Sequence, residues 1–305
     1  VAHASESRVI ALDDAPNLAV LFARAAATSF GRGRHGGALE AVEVLRRSVP
    51  IERTRLAAYD RVCGFGLRDA LPPTYLHVLV FPLQVALMAD RSFPLGLVGL
   101  VHVRNRISVH RPVDAGETLS LRSSARALRP HPKGAQVDLV GEVRVGEELV
   151  WEAVSTYLAR GASAPGEVEP EVPVTVDLGE RANALWRVPA DMGRRYAAVS
   201  GDVNPMHLSS LAARALGFPR TLVHGMWTKA HALAALDARL PESYVVDVAF
   251  SRPLLLPSTA RFVAAQRDQG WDFAVRPGRG GGDHLRGTVR TIQPADFSSG
   301  GPVAC

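Results

Sequence analysis

One plan is written twice in this chain. Residues 75–89 and 226–240 are each apolar nearly all the way round a helix. A helix with no polar face must be enclosed by other elements. Each stretch is followed, after a short turn-rich loop, by runs in which polar and apolar residues alternate, as in residues 119–128 and 136–145. A period of two with polar partners marks antiparallel strands wetted on one face. The implied fold class is α+β, two antiparallel sheets each wrapping a long central helix. The helices are expected over residues 73–89 and 223–239. Thr74, His77 and Arg111-Pro112 line up loosely with Thr221, His224 and Arg252-Pro253. Chance similarity of two helix-then-strand segments is the alternative.

The segment GASAPGEVEPEVP, residues 161–173, lacks apolar periodicity and reads as a linker. It separates a first half, residues 1–160, from a second, residues 174–305. A long hairpin loop is expected at 277–283 and a frayed tail at 297–305.

A chain of 305 residues with 47% hydrophobic and 21% charged residues can bury a core without metal or disulfide staples. Its two cysteines, Cys63 and Cys305, make no disulfide framework and fit a reducing compartment, so a cytoplasmic location is expected. Residues 1–12 have neither the basic nor the apolar region of a secretory signal. The apolar stretch at 75–89 is too short to span a bilayer. The net charge of +5 comes from scattered arginines without a nucleic-acid motif, which reads as solvated surface with room for one patch facing an anionic ligand.

Chemistry concentrates in residues 189–226. Asp191 can cap a short helix ending near Val199, and Ser209 or Ser210 can cap a second one that Gly217 stops. Between them SGDVNP, residues 200–205, is dense in turn formers. Asp202 and His207 lie five residues apart across this turn, close enough to meet at one point and polarise a water. Asn204 can bond the loop backbone or that water. Read by residue type alone, a turn-serving Asp and a satisfied His remain the alternative. No third residue at a recognised spacing completes a metal site, so neither metal nor cofactor is expected.

The run YAAVSGDVNPMH over residues 196–207, followed by Ala213, Gly217-Phe218 and VHGM at 223–226, closely resembles the signature of MaoC-like hydratases, which include the R-specific enoyl-CoA hydratases. With the repeat, the likeness extends to a double hotdog protein. The matching part of the first half, residues 56–64, lacks the SGDxNPxH pattern, and such a half often supplies the acyl pocket. The resemblance implies reversible addition of water across a trans-2-enoyl thioester, giving a 3R-hydroxyacyl thioester on CoA or an acyl carrier protein. It assigns water activation and proton delivery to Asp202 and His207, and stabilisation of the thioester oxygen to the N–H of Gly225. Tyr196, Asn204, His224 and Met226 are expected around the substrate. Arg194, Arg195 and Arg220 are candidates for the carrier's phosphates, with solvated surface as the alternative. The helix after Gly225 has no Ser or Thr in residues 230–236, where some members carry a hydroxyl. A non-catalytic acyl-thioester-binding or assembly subunit and a thioesterase are the competing readings. A double hotdog mimics a dimer within one chain, and a further homodimer is compatible with it.

Overall fold

The computed structural model describes residues 7–28, 38–97 and 99–292, so the expected tail at 297–305 and Cys305 lie outside the described residues. In chain order the first half gives β1 (Arg8–Leu12), α1 (Leu18–Thr28), β2 (Val42–Val49), α2 (Arg53–Cys63), α3 (Pro73–Ala89), β3 (Leu100–Val109), β4 (Leu119–His131), β5 (Gly134–Val145) and β6 (Glu148–Arg160). The second gives β7 (Ala184–Val188), α4 (Met192–Ser200), α5 (Pro205–Leu208), α6 (Ser210–Ala215), α7 (Gly225–Leu236), β8 (Tyr244–Phe250), β9 (Ser258–Arg267), β10 (Gly270–Pro277) and β11 (Leu285–Thr291).

Both enclosed helices exist. α3 occupies the expected residues, and α7 ends in a short 3-10 turn at Asp237–Arg239. α3 is buried around its full circumference, which stabilises the fold by about 25 cal/mol per Å² of apolar surface taken from water. That compensates for Pro82, which removes one hydrogen bond inside α3. α7 buries a lysine among its mainly apolar residues: Lys229 is 0% exposed. Its Nζ donates to Asn105 Oδ1 at 2.6 Å and to the carbonyls of Asn105 (3.0 Å) and Val246 (3.3 Å). Burial holds the Lys229 amine well below the usual lysine range.

The two expected sheets are continuous with one another. They form one eleven-stranded sheet in the order β1-β2-β4-β5-β6-β3-β8-β11-β10-β9-β7. The join is an antiparallel pairing of β3 with β8, from Arg104↔Ala249 to Val109↔Tyr244. Across it the Arg104 guanidinium grips the Asp247 carboxylate with two bonds, of 3.0 and 2.6 Å. The sheet is mixed because β1 runs parallel to β2.

The Pro- and Glu-rich stretch at 161–173 contains neither helix nor strand, but it does not hang free. The Val172 carbonyl accepts from Arg104 at 3.1 Å, and the Glu171 carboxylate accepts from Gln136 at 2.5 Å. The loop expected at 277–283 does connect two paired strands, β10 and β11. No helix among the described residues is long and apolar enough to cross a membrane.

The repeat is visible in the short helices as well. α2 ends at Gly64 (φ 89°) and α4 at Gly201 (φ 78°), both left-handed. Glycine adopts this conformation without the Cβ penalty that other residues incur. Tyr59-Asp-Arg-Val-Cys-Gly64 therefore corresponds in kind to Tyr196-Ala-Ala-Val-Ser-Gly201. Beyond these glycines the halves diverge. Residues 65–72 lead directly to α3, whereas residues 202–224 hold α5 and α6 before α7 begins. The expected match of His77 with His224 fails for this reason: His77 lies inside α3, and His224 is the N-cap of α7. Arg111-Pro112 and Arg252-Pro253 do keep equivalent places, each just past the end of a joining strand.

Candidate active site

The longer connection of the second half builds the site. Gly201 turns the chain out of α4, and the Ser200 hydroxyl accepts the Asp202 N–H at 3.2 Å. The Asp202 Oδ1 accepts the Asn204 N–H at 3.2 Å. Asn204 serves the backbone, capping α5 through the Met206 N–H, with Pro205 at the first helical position. Ser209 caps α6, accepting from Ala212. Asp191 does not cap α4 with its side chain; it forms an ion pair with Arg195 at 2.8 Å, one helical turn on.

His207 Nδ1 lies 2.8 Å from the Leu222 carbonyl. A carbonyl only accepts, so Nδ1 carries the proton and Nε2 keeps its lone pair. His224 Nε2 lies 3.0 Å from the Asp202 carbonyl, which fixes that proton in the same way. The two imidazoles stack with centroids 3.7 Å apart, and Tyr196 closes on His224 at 4.9 Å. Burial pushes the Asp202 carboxyl above the usual carboxylate range, against the opposing pull of His207 and the Asn204 N–H. Burial also pushes His207 below the usual imidazole range, opposed by Asp202 and the Leu222 carbonyl. His224 is held neutral, first by burial and then by His207.

One nitrogen or oxygen atom from each of Asp202, His207 and His224 lies within 4.8 Å of the others. Two atoms at that separation can share one water through hydrogen bonds of about 2.8 Å. The same trio has the donor types of a cation site. The His224 Nε2, 3.7 Å from the Asp202 carboxylate, donates to a backbone carbonyl, so only the lone pair of its Nδ1 would be free to ligate.

Gly225 is the first residue of α7, so its N–H has no acceptor within the helix. The positive end of the helix dipole favours negative charge at this point. The Phe250 ring covers Gly225 so closely that an added Cβ would sit 3.0 Å from it.

A cavity of about 1150 Å³ opens over these groups. Asp202, His207, Gly225, Asn204, Tyr196, His224 and Met226 all line it. Arg194, Arg195 and Arg220 are exposed and stand off its lining. Arg194 reaches the Leu208 carbonyl, and Arg195 is engaged by Asp191. Arg252, just past β8, does line the cavity. Tyr157, Phe250, His102 and His77 are further lining residues that motif reading missed. Their signal is long-range: β3, β6, β8 and α3 each contribute one side chain. Gly193 was also missed. It sits where α4 presses on the His207 carbonyl, and a Cβ there would fall well inside van der Waals contact of that oxygen.

Comparisons with known proteins agree with this geometry. Residues 160–276 match the MaoC like domain family. A 3-hydroxyacyl-thioester dehydratase X of Mycobacterium tuberculosis is 39% identical over 245 residues, 80% of this chain and 87% of that protein. The crystal structure of HtdX from the same organism aligns with a TM-score of 0.74 at 35% identity, over 82% of this chain and 100% of that one. A MaoC-like dehydratase from Phytophthora capsici shares the fold at 18% identity and a TM-score of 0.67, over 84% of this chain and 96% of its own. The fold is that of the MaoC-like hotdog dehydratases, and the chain belongs to this family.

Proposed function

We propose that the protein is a hydro-lyase that interconverts trans-2-enoyl and 3R-hydroxyacyl thioesters. The observation that carries the reading is the convergence of Asp202 and His207 within reach of one water, beside the unpartnered end of α7 at Gly225. In the hydration direction that water adds its oxygen to Cβ and gives up a proton to the pair. The pair returns a proton to Cα. The double bond disappears as the C–O and C–H bonds form, and dehydration is the reverse. Negative charge on the thioester oxygen in the transition state is met by the Gly225 N–H and the helix dipole. His224 anchors the Asp202 loop and packs on His207, holding both groups in place.

Residues 1–160 act as the half without the motif, contributing α3 to the acyl pocket, and residues 174–305 as the catalytic half. The substrate's carrier is CoA or an acyl carrier protein. Following crotonyl-CoA by loss of the conjugated enoyl absorbance, alongside free-thiol release, tests the proposal. Hydration without thiol release is expected. Thiol release alone would make it a thioesterase, and neither signal would leave a binding module.

Two further outcomes are expected. Because burial raises the Asp202 carboxyl, the working carboxylate protonates earlier as the medium is acidified. The acid limb of the kcat–pH profile therefore lies above the range of a free carboxylate, about pH 4. A limb at or below that range would exclude Asp202 as the base. Arg252 and the three outer arginines, Arg194, Arg195 and Arg220, are the candidates for the carrier's phosphates. Ala at a phosphate-binding position raises KM for acyl-CoA and leaves kcat alone, as loss of uniform binding does. Unchanged KM at low salt in all four variants would rule the role out.

A further inference from the structure

We propose that Tyr157, on a strand of the half without the motif, is a third catalytic side chain, its hydroxyl donating a hydrogen bond to the oxygen that joins or leaves Cβ. The inference rests on the hydratase reading and adds a residue to that site.

The need for such a group follows from the protonation of the pair. The Asp202 carboxylate and the lone pair of His207 Nε2 are both acceptors. They can take the two hydrogens of the shared water, and neither can donate to its oxygen. One lone pair of that oxygen attacks Cβ, and the other is left for a donor. α7 offers no hydroxyl for it. Residues 230–236 carry no Ser or Thr, and the Thr228 hydroxyl is turned back on its own helix, donating to the His224 carbonyl at 3.4 Å.

Tyr157 meets the requirement. It lies on β6 and lines the cavity while only 7% exposed. Among the described residues its hydroxyl has no hydrogen-bond partner. The Tyr59 hydroxyl is also unpartnered, but it is sealed in the core, whereas that of Tyr157 keeps surface open to the cavity. Burial, and after it the Asp202 charge, push the Tyr157 hydroxyl above the usual tyrosine range. It therefore stays protonated at working pH, where it donates a hydrogen bond and transfers no proton.

The place of the ring sets which oxygen it meets. Tyr157, His102 and Phe250 stand in a row on three neighbouring strands, β6, β3 and β8. Tyr157 pairs with His102 across the ladder and stacks on its ring at 4.5 Å. His102 meets Phe250 at 5.1 Å, and Phe250 covers Gly225. The Phe250 end of the row belongs to the thioester oxygen. At the other end the Tyr157 hydroxyl lies in the field of Asp202 and beside Tyr196, which feels the same carboxylate. That is the end at which Asp202 works on the Cβ oxygen. The pairing of β3 with β8 is what brings a first-half side chain to this point.

The test is Tyr157→Phe, which keeps the ring and its stacking and removes the hydroxyl. It is read as kcat and KM in both directions, with trans-2-octenoyl-CoA for hydration and 3R-hydroxyoctanoyl-CoA for dehydration. The enoyl chain has no oxygen on Cβ, so its KM should stay at the parent value while hydration kcat falls about three- to tenfold, the range for one lost hydrogen bond. The hydroxyacyl chain loses the bond in ground state and transition state alike, so its KM should rise by the same factor while dehydration kcat holds. A tyrosine that merely supported the fold would not split the constants in this way. Parent-like constants in both directions, or a raised KM for the enoyl chain, would overturn the role of Tyr157 and leave the hydratase reading standing. Losses of kcat alone in both directions would move the hydroxyl to the thioester oxygen and overturn it as well. A parent protein that turns over neither substrate would overturn both readings.

Discussion

Asp202→Asn is expected to lower kcat by at least about a hundredfold, because general acid–base groups contribute about two to four orders of magnitude. The asparagine keeps an oxygen to accept the Asn204 N–H, so the turn survives while the base is lost. His207→Gln should cost as much, removing the nitrogen whose lone pair is free once Nδ1 is held by the Leu222 carbonyl. The double variant should lose little more than the worse single one, since two groups sharing one water act as a unit. Single-turnover rates on crotonyl-CoA, with circular dichroism as the check on folding, decide the matter. A folded Asp202→Asn protein with near-parent kcat would sink the mechanism. Strictly additive losses would leave both residues important but remove the shared water.

Gly193→Ala is the second change with a large expected effect, although Gly193 touches no substrate. Its missing side chain lets α4 lie against the His207 carbonyl. A methyl group must push apart either α4 or the loop that carries His207. A displacement of about 1 Å at a catalytic group can cost about a hundredfold in rate. The expected result is a kcat loss of that order, together with a lower melting temperature. Gly66→Ala is the control: nothing lies within 4 Å of a Cβ there, and both readouts should stay at the parent values. Parent-like kcat and Tm in Gly193→Ala would show that the approach carries no functional weight.

The residues behind these two effects differ in how plainly the sequence marks them. Asp202, Asn204, Pro205 and His207 are local, and a turn between two capped helices can be read from consecutive residues. The enclosed helices are equally legible, because an all-round apolar pattern admits few alternatives. Gly193 is not legible in this way. Its importance lies in the carbonyl of His207, well further along the chain, and a glycine near a helix start carries no mark of what packs on it. Lys229 reads as an error in an apolar helix until Asn105 and Val246 are placed around its amine. Aligning His77 with His224 matched residue types and overlooked length. The connection at 202–224 is longer than that at 65–72, and the extra residues carry the chemistry. The pairing of β3 with β8 is likewise unmarked, since alternation shows which face of a strand is wet but not which strand lies beside it.

The order of the strands also bears on how the protein avoids self-association. An unpaired strand edge is a template on which another chain can add, and long apolar edges invite aggregation. Here the long strands β4, β5 and β6 are paired on both sides, and the sheet terminates at β1 and β7, five residues each. Pro189 follows β7 at once and has no N–H to offer a visitor. At β1, Arg8 is drawn to Asp90 at 2.7 Å. Among the described residues, the two rims of the sheet thus give an incoming strand little backbone to pair with.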